Sequence, residues 1–183
     1  MLTTKKIKGA LPLLSALVAL AGQPAPAESP HSLNLGGRYH TENSVFTNLP
    51  FGNADLSYAL AYTFAQEHIG LQLGADLAPD VSGARDESNT NQIDFVITPQ
   101  VNLIIKDRAF RGGVGLLTSY IRGDSDEDDW LDPYWQLMLG LSLPLGKKFS
   151  VDALAYYVLE KWSNIGDFKP KELEYGLWLN YHF

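Results

Sequence analysis

The stretch Tyr134-Trp-Gln-Leu-Met-Leu-Gly-Leu-Ser-Leu-Pro-Leu145 decides the fold. Its odd positions, Trp135, Leu137, Leu139, Leu141, Leu143 and Leu145, are all large and apolar, whereas Tyr134, Gln136, Met138, Gly140, Ser142 and Pro144 between them are mixed. A period of two is the mark of an extended strand whose two faces meet different surroundings, and a one-residue slip would exchange those faces. A helix would scatter the same leucines around its circumference.

The same period recurs in both directions from this stretch. Before it lie the rows Leu33, Leu35, Gly37, Tyr39; then Leu56, Tyr58, Leu60, Tyr62, Phe64; then Ile69, Leu71, Leu73, Ala75, Leu77. Two more follow in Ile93, Phe95, Ile97, Pro99, Val101, Leu103, Ile105 and in Phe110, Val114, Leu116, Tyr120, the latter read as one continuous strand. After it come Phe149, Val151, Ala153, Ala155, Tyr157, Leu159 and finally Leu173, Tyr175, Leu177, Leu179, Tyr181, Phe183. Connections alternate between short (65–68, 106–109, 145–148) and long and polar (43–53, 79–91, 122–133, 160–171). Eight strands with both ends beside the short turns predict an all-β, antiparallel up-and-down barrel, a closed form that leaves no strand edge unpaired.

Composition narrows the class. The chain has 183 residues, 45% hydrophobic and 19% charged, with no cysteine, which excludes disulfide scaffolds, thiolate metal sites and cysteine nucleophiles. Lys5, Lys6 and Lys8, the apolar run Ala10 to Ala21 and the small residues Ala25 and Ala27 read as a secretory leader over residues 1–27, cleaved before Glu28. The barrel domain is then 28–183. Loss of the leader's three lysines leaves 11 basic against 21 acidic residues, a formal charge of −10, so no nucleic-acid partner is expected. His31 reads as an exposed residue at the mature N-terminus.

Which face looks outward is decided by the residues opposite the apolar rows. They are dominated by Gly, Ser, Thr, Asn, Gln and Ala, which suit a narrow lumen better than the surface of a soluble barrel. Aromatic residues of the apolar rows gather at two heights: Phe64, Phe110, Phe149, Tyr181 and Phe183 near the short turns, and Tyr39, Phe95, Tyr120, Trp135, Tyr157 and Tyr175 near the long loops. Two aromatic girdles around an aliphatic band are how a lipid-facing barrel meets its two interfaces. The expected fold is therefore a transmembrane β-barrel with short periplasmic turns and long extracellular loops.

The last strand, Gly176-Leu-Trp-Leu-Asn-Tyr-His-Phe183, carries Leu177, Leu179, Tyr181 and the terminal Phe183 on one face. It resembles the C-terminal signature of Gram-negative outer-membrane proteins, and with the leader and the eight-strand plan the whole chain resembles the small OmpA/OmpX-type barrels. That resemblance implies residence in the outer membrane among its lipids and lipopolysaccharide. It also implies recognition of the last strand by the barrel-assembly machinery, with no cofactor.

Alternation places Arg38, Asp55, Asp76, Asp94, Lys106, Arg111, Asp152, Glu160, Glu174 and His182 on inward rows. An unpaired ion in a narrow lumen is costly, so the expectation is an ion-pair network that plugs it, centred on Arg38 with one or two carboxylates and on Arg111 with Asp152. The alternative is a narrow cation-preferring channel lined by the acids. Arg122-Gly-Asp-Ser-Asp-Glu-Asp-Asp-Trp130 supplies Asp124, Asp126, Glu127, Asp128 and Asp129, oxygen ligands suited to weak binding of Ca2+ or Mg2+. It is no EF-hand, because Asp129 stands where Gly is needed and Trp135 where the bidentate Glu belongs.

An enzymatic alternative comes from Lys161-Trp-Ser-Asn-Ile-Gly166 followed by Glu174. This stretch is similar to the lipid A deacylase family, in which a His-x-Ser-Asn segment supplies base and nucleophile and the next strand supplies an acid. The resemblance implies Ser163 as nucleophile, beside Asn164, and Glu174 as acid. Lys161 replaces the histidine, and a protonated lysine cannot accept the serine proton. The leading expectation is therefore a non-enzymatic barrel with a structural or surface-interaction role.

Overall fold

The computed structural model describes residues 29–41, 56–79, 93–123 and 129–183. The leader, Asp55, Asp124, Asp126, Glu127 and Asp128 lie outside the described residues, as do the side chains of Asp94 and Asp129.

Among the described residues ten hydrogen-bonded segments make up the wall: β1 His31–Tyr39, β2 Leu56–Gln66, β3 Ile69–Pro79, β4 Ile93–Asp107, β5 Phe110–Leu117, β6 Tyr120–Gly123, β7 Asp129–Trp130, β8 Tyr134–Pro144, β9 Phe149–Leu159 and β10 Glu174–His182. They form eight staves, because β5 and β6 are two parts of the fifth and β7 is a short addition to β6. Every pairing is antiparallel, and β3 joins β4 while β1 joins β10, so the ring closes. Two tight turns put non-glycine residues in the left-handed region, Glu67 at φ 46° and Arg108 at φ 53°, the reversal that two-residue hairpins require.

The fifth stave departs from the continuous strand read in the sequence. Against β4 the register runs straight through and the Thr118 N–H still donates to the Pro99 carbonyl at 3.2 Å, but Pro99 has no N–H to return, and the ladder lapses at Thr118 and Ser119 between β5 and β6. Side-chain and loop bonds replace it: Thr118 Oγ1 donates to the Leu131 carbonyl at 2.6 Å, the Leu131 N–H donates to the Ser119 carbonyl at 2.8 Å, and Ser119 Oγ meets Thr98 Oγ1 at 2.7 Å. Residues 129–131 thus take the place beside β6 that β8 holds beside β5.

The barrel is inside-out relative to a soluble one. Along β2 every large residue, from Leu56 to Phe64, is exposed and every small one, from Ser57 to Ala65, is buried. Leu35 is 61% exposed and Leu177 62%, while Asn34, Arg38 and Asn180 on the same two strands are nearly sealed. Backbone groups satisfied in a closed ladder and an apolar exterior together describe a wall made for lipid. His31 is not the simple exposed residue read in the sequence: its imidazole lies beside the rings of Tyr62, Phe64 and Phe183, with Nδ1 2.5 Å from the Tyr62 hydroxyl.

One part of the exterior is covered. Tyr157 and Leu159 belong to the outward row of β9, yet both are buried. The following segment, with 3-10 turns at Trp162–Asp167 and Pro170–Glu172, packs Trp162 on Trp135 with ring centroids 5.2 Å apart and Phe168 edge-on to Tyr157 at 4.8 Å.

Candidate functional site

The lumen is built from alternate residues of all eight staves, and its most elaborate layer surrounds Arg38. From β1 the guanidinium Nε donates to Glu174 Oε2 on β10 at 2.6 Å, and Nη1 donates to Gln136 Oε1 on β8 at 3.1 Å and reaches Asp76 Oδ2 on β3 at 3.5 Å. Its carbon lies 4.3 Å from the centre of the Tyr156 ring, a cation–π contact strengthened by the burial of both side chains. Nη2 has no hydrogen-bond partner among the described residues. Arg38 is 2% exposed, so charge and hydration must both be replaced by protein groups.

Amides complete the layer. Gln100 Nε2 donates to the other oxygen of Asp76 at 2.7 Å, and Gln136 Nε2 donates to both Gln100 Oε1 and Asn102 Oδ1 at 2.6 Å. Asn102 passes its own amide protons to Gln72 and Gln100. Gly115 makes room for Asn102, since a Cβ there would collide with the Asn102 side chain. Beneath the guanidinium, Trp178 Nε1–H donates to the Tyr156 hydroxyl at 2.7 Å, and Gly36 permits this, because a Cβ would stand 2.8 Å from the Trp178 ring. Ala59, Ala61, Ile104, Met138 and Leu154 pack with these two aromatics in one buried cluster.

Glu174 also holds a histidine that sequence reasoning left out of the network. His40 Nδ1 lies 3.0 Å from Glu174 Oε1, and its Nε2 lies 3.0 Å from Ser57 Oγ. With Nδ1–H donating to the carboxylate, Nε2 of a neutral ring accepts the Ser57 hydroxyl proton. The order acid, imidazole, hydroxyl is that of a nucleophile triad. Ser57 is fully buried, however, and the adjoining space, a cavity of about 10 Å³ between Arg38, His40, Asp76 and Glu174, holds no more than one water.

The short-turn half of the lumen is looser. A chain of small polar side chains runs from Gln72 through Thr63, Asn34, Asn180 and Ser150 to His182. Below it Arg111 Nε stands 3.7 Å from Asp152 Oδ2, beyond hydrogen-bond length. Lys106, Arg111, Asp152 and His182 all border a cavity of about 50 Å³, enough for a few waters.

Of the residues expected inside, Arg38, Asp76 and Glu174 meet one another, and Arg111 lies near Asp152. Glu160 is exposed where the chain bends away beyond β9, and so stands apart from the lumen layer in which alternation placed it. Asp129 opens β7, its backbone paired with Ile121. Leu177, Leu179, Tyr181 and Phe183 are exposed on the outer wall. Among the described residues no group of three or more potential metal-ligating side chains occurs.

The parts of the deacylase-like arrangement are kept apart. Ser163 Oγ donates to its neighbour Asn164 Oδ1 at 3.1 Å on an exposed turn, and Glu174 is engaged inside the barrel by Arg38 and His40.

No protein-family model matches the chain, and no curated protein matches its sequence. Among solved structures it is similar to the Neisserial surface protein A, at 10% identity and TM-score 0.49, over 86% of this chain and 99% of that one. It is also similar to Ail, the attachment invasion locus protein of Yersinia pestis, at 14% identity and TM-score 0.45, over 86% and 99%. A third is a major outer membrane protein from Thermus thermophilus, at 14% identity and TM-score 0.45, over 84% and 98%. The closed ring of eight antiparallel staves, apolar outside and polar within, is the architecture of the small outer-membrane barrels.

Proposed function

We propose that this protein is a non-enzymatic surface barrel whose lumen carries no solute and whose work is done outside, by its long loops and its lipid-facing wall. The observation that supports this reading is the Arg38 layer: one guanidinium bonded to two carboxylates and an amide, backed by Tyr156 and Trp178. Eight staves leave an interior that side chains can fill. Lipopolysaccharide is the neighbour that the wall and loops would meet, and Ca2+ or Mg2+ the ions that Asp124, Asp126, Glu127, Asp128 and Asp129 would take weakly. Recognition by the assembly machinery through Leu177, Leu179, Tyr181 and Phe183 belongs to the same reading.

Two assays test it together. Proteoliposomes carrying the refolded barrel should hold a potassium gradient as long as empty vesicles do, and cells expressing it should show lipid A of unchanged mass. Rapid gradient collapse would establish the cation-channel alternative. A loss of acyl chains from lipid A that Ser163→Ala prevents would establish the deacylase one.

A further inference from the structure

We propose that the segment from Trp162 to Phe168 is an interfacial anchor, which lies against the upper outer wall of the barrel and inserts its apolar side chains into the outer leaflet. Its occupant is lipid, at the boundary between headgroups and acyl chains. The segment turns rings toward the wall, Trp162 onto Trp135 and Phe168 onto Tyr157, and in doing so covers Tyr157 and Leu159 to 5% and 1% exposure. Burial of that row would be complete with the segment merely resting on it. Yet Trp162, Ile165 and Phe168 remain 43%, 47% and 51% exposed, three large apolar residues within seven positions of a connection that leads away from the membrane strands.

Continuity with the lipid-facing wall identifies what covers them. Trp135 and Tyr157, the residues under Trp162 and Phe168, belong to the outward rows of β8 and β9, whose lower members Leu139, Leu141 and Phe149 are exposed on the lipid face. The anchor therefore thickens the apolar band upward on the β8–β9 side. Aromatic side chains favour this depth because they combine an apolar body with a polar edge. The segment is also held at its far end, where Thr41 Oγ1 donates to the carbonyls of Lys171 and Leu173. Lys161 flanks it with a long stem that can lie along apolar surface while its ammonium group stays at headgroup level, and at the other end Lys169 Nζ donates to Glu172 Oε1 at 3.1 Å.

The chain contains no cysteine, so a single introduced thiol reports without background. Ile165→Cys and, as a reference on a short turn, Glu67→Cys would each be labelled with an environment-sensitive fluorophore and refolded into bilayers, with a heat-dependent gel shift verifying folding. The Ile165 label should be quenched several-fold more strongly by lipids spin-labelled near the headgroup end of the chain than by aqueous iodide. The Glu67 label should show the reverse. Equal iodide quenching at both sites would overturn the proposal, leaving the segment in water. Shielding from both quenchers that disappears on diluting the protein in lipid would also overturn it, by assigning the surface to a second copy. Intrinsic fluorescence gives an independent reading: brominated lipids should quench the wild-type protein more than Trp162→Phe.

Discussion

The two arginines of the lumen live under different rules. Arg38 is wrapped by Glu174, Asp76, Gln136 and Tyr156 with space for hardly a water beside it, whereas Arg111 faces Asp152 across 3.7 Å at the rim of a cavity of about 50 Å³. The same charge on the same kind of wall is a structural keystone in one place and a looser pair beside a cavity in the other. What differs is whether water can substitute for a lost partner. Where it cannot, removal of one ion strands the others.

The largest effect should therefore come from Arg38→Met, which leaves Glu174 and Asp76 buried together. It should cost about 3–5 kcal/mol of unfolding free energy, read from urea titration of the barrel in bilayers. Leu139→Arg tests the opposite face of the wall: at the middle of the lipid band it should cost about 2–4 kcal/mol, and a neutral result would mean that this row faces water. Arg111→Met should cost less, about 1–3 kcal/mol, the penalty of leaving the buried Asp152 carboxylate short of a partner, because the cavity beside it has room for water. If it matched Arg38→Met, the contrast between the two layers would be gone. Ser163→Ala should stay within about 0.5 kcal/mol of wild type, as a surface change, and should leave lipid A untouched.

Much of this was legible along the chain. Alternation alone assigns Leu33, Leu35 and Tyr39 to one face and Asn34 and Arg38 to the other, because a closed sheet between lipid and lumen gives each residue only two environments. The relative heights of Arg38, Asp76 and Glu174 were less accessible, since they depend on register across three staves. His40 is hidden for a related reason. It lies just past β1, and only the register brings Glu174 and Ser57 to its two nitrogens. Gln100, Asn102 and Gln136 read as ordinary lumen polar residues until their amides are seen to hand protons around the ring. The break at Thr118 and Ser119 is marked only by Pro99, which the register sets opposite Thr118; on the fifth stave itself alternation continues while hydroxyl and carbonyl groups turn to Leu131. The segment after β9 reads as a polar loop, because its apolar residues, Trp162, Ile165 and Phe168, are set apart by Ser163, Asn164, Gly166 and Asp167.

Single-channel recording in a planar bilayer tests the closed Arg38 layer most directly, with the wild-type barrel beside Arg38→Ser and Tyr156→Ser combined. A sealed lumen predicts a silent wild type at confirmed insertion and small conductance steps once guanidinium and ring are both removed. Reproducible cation-selective steps from the wild type would contradict it.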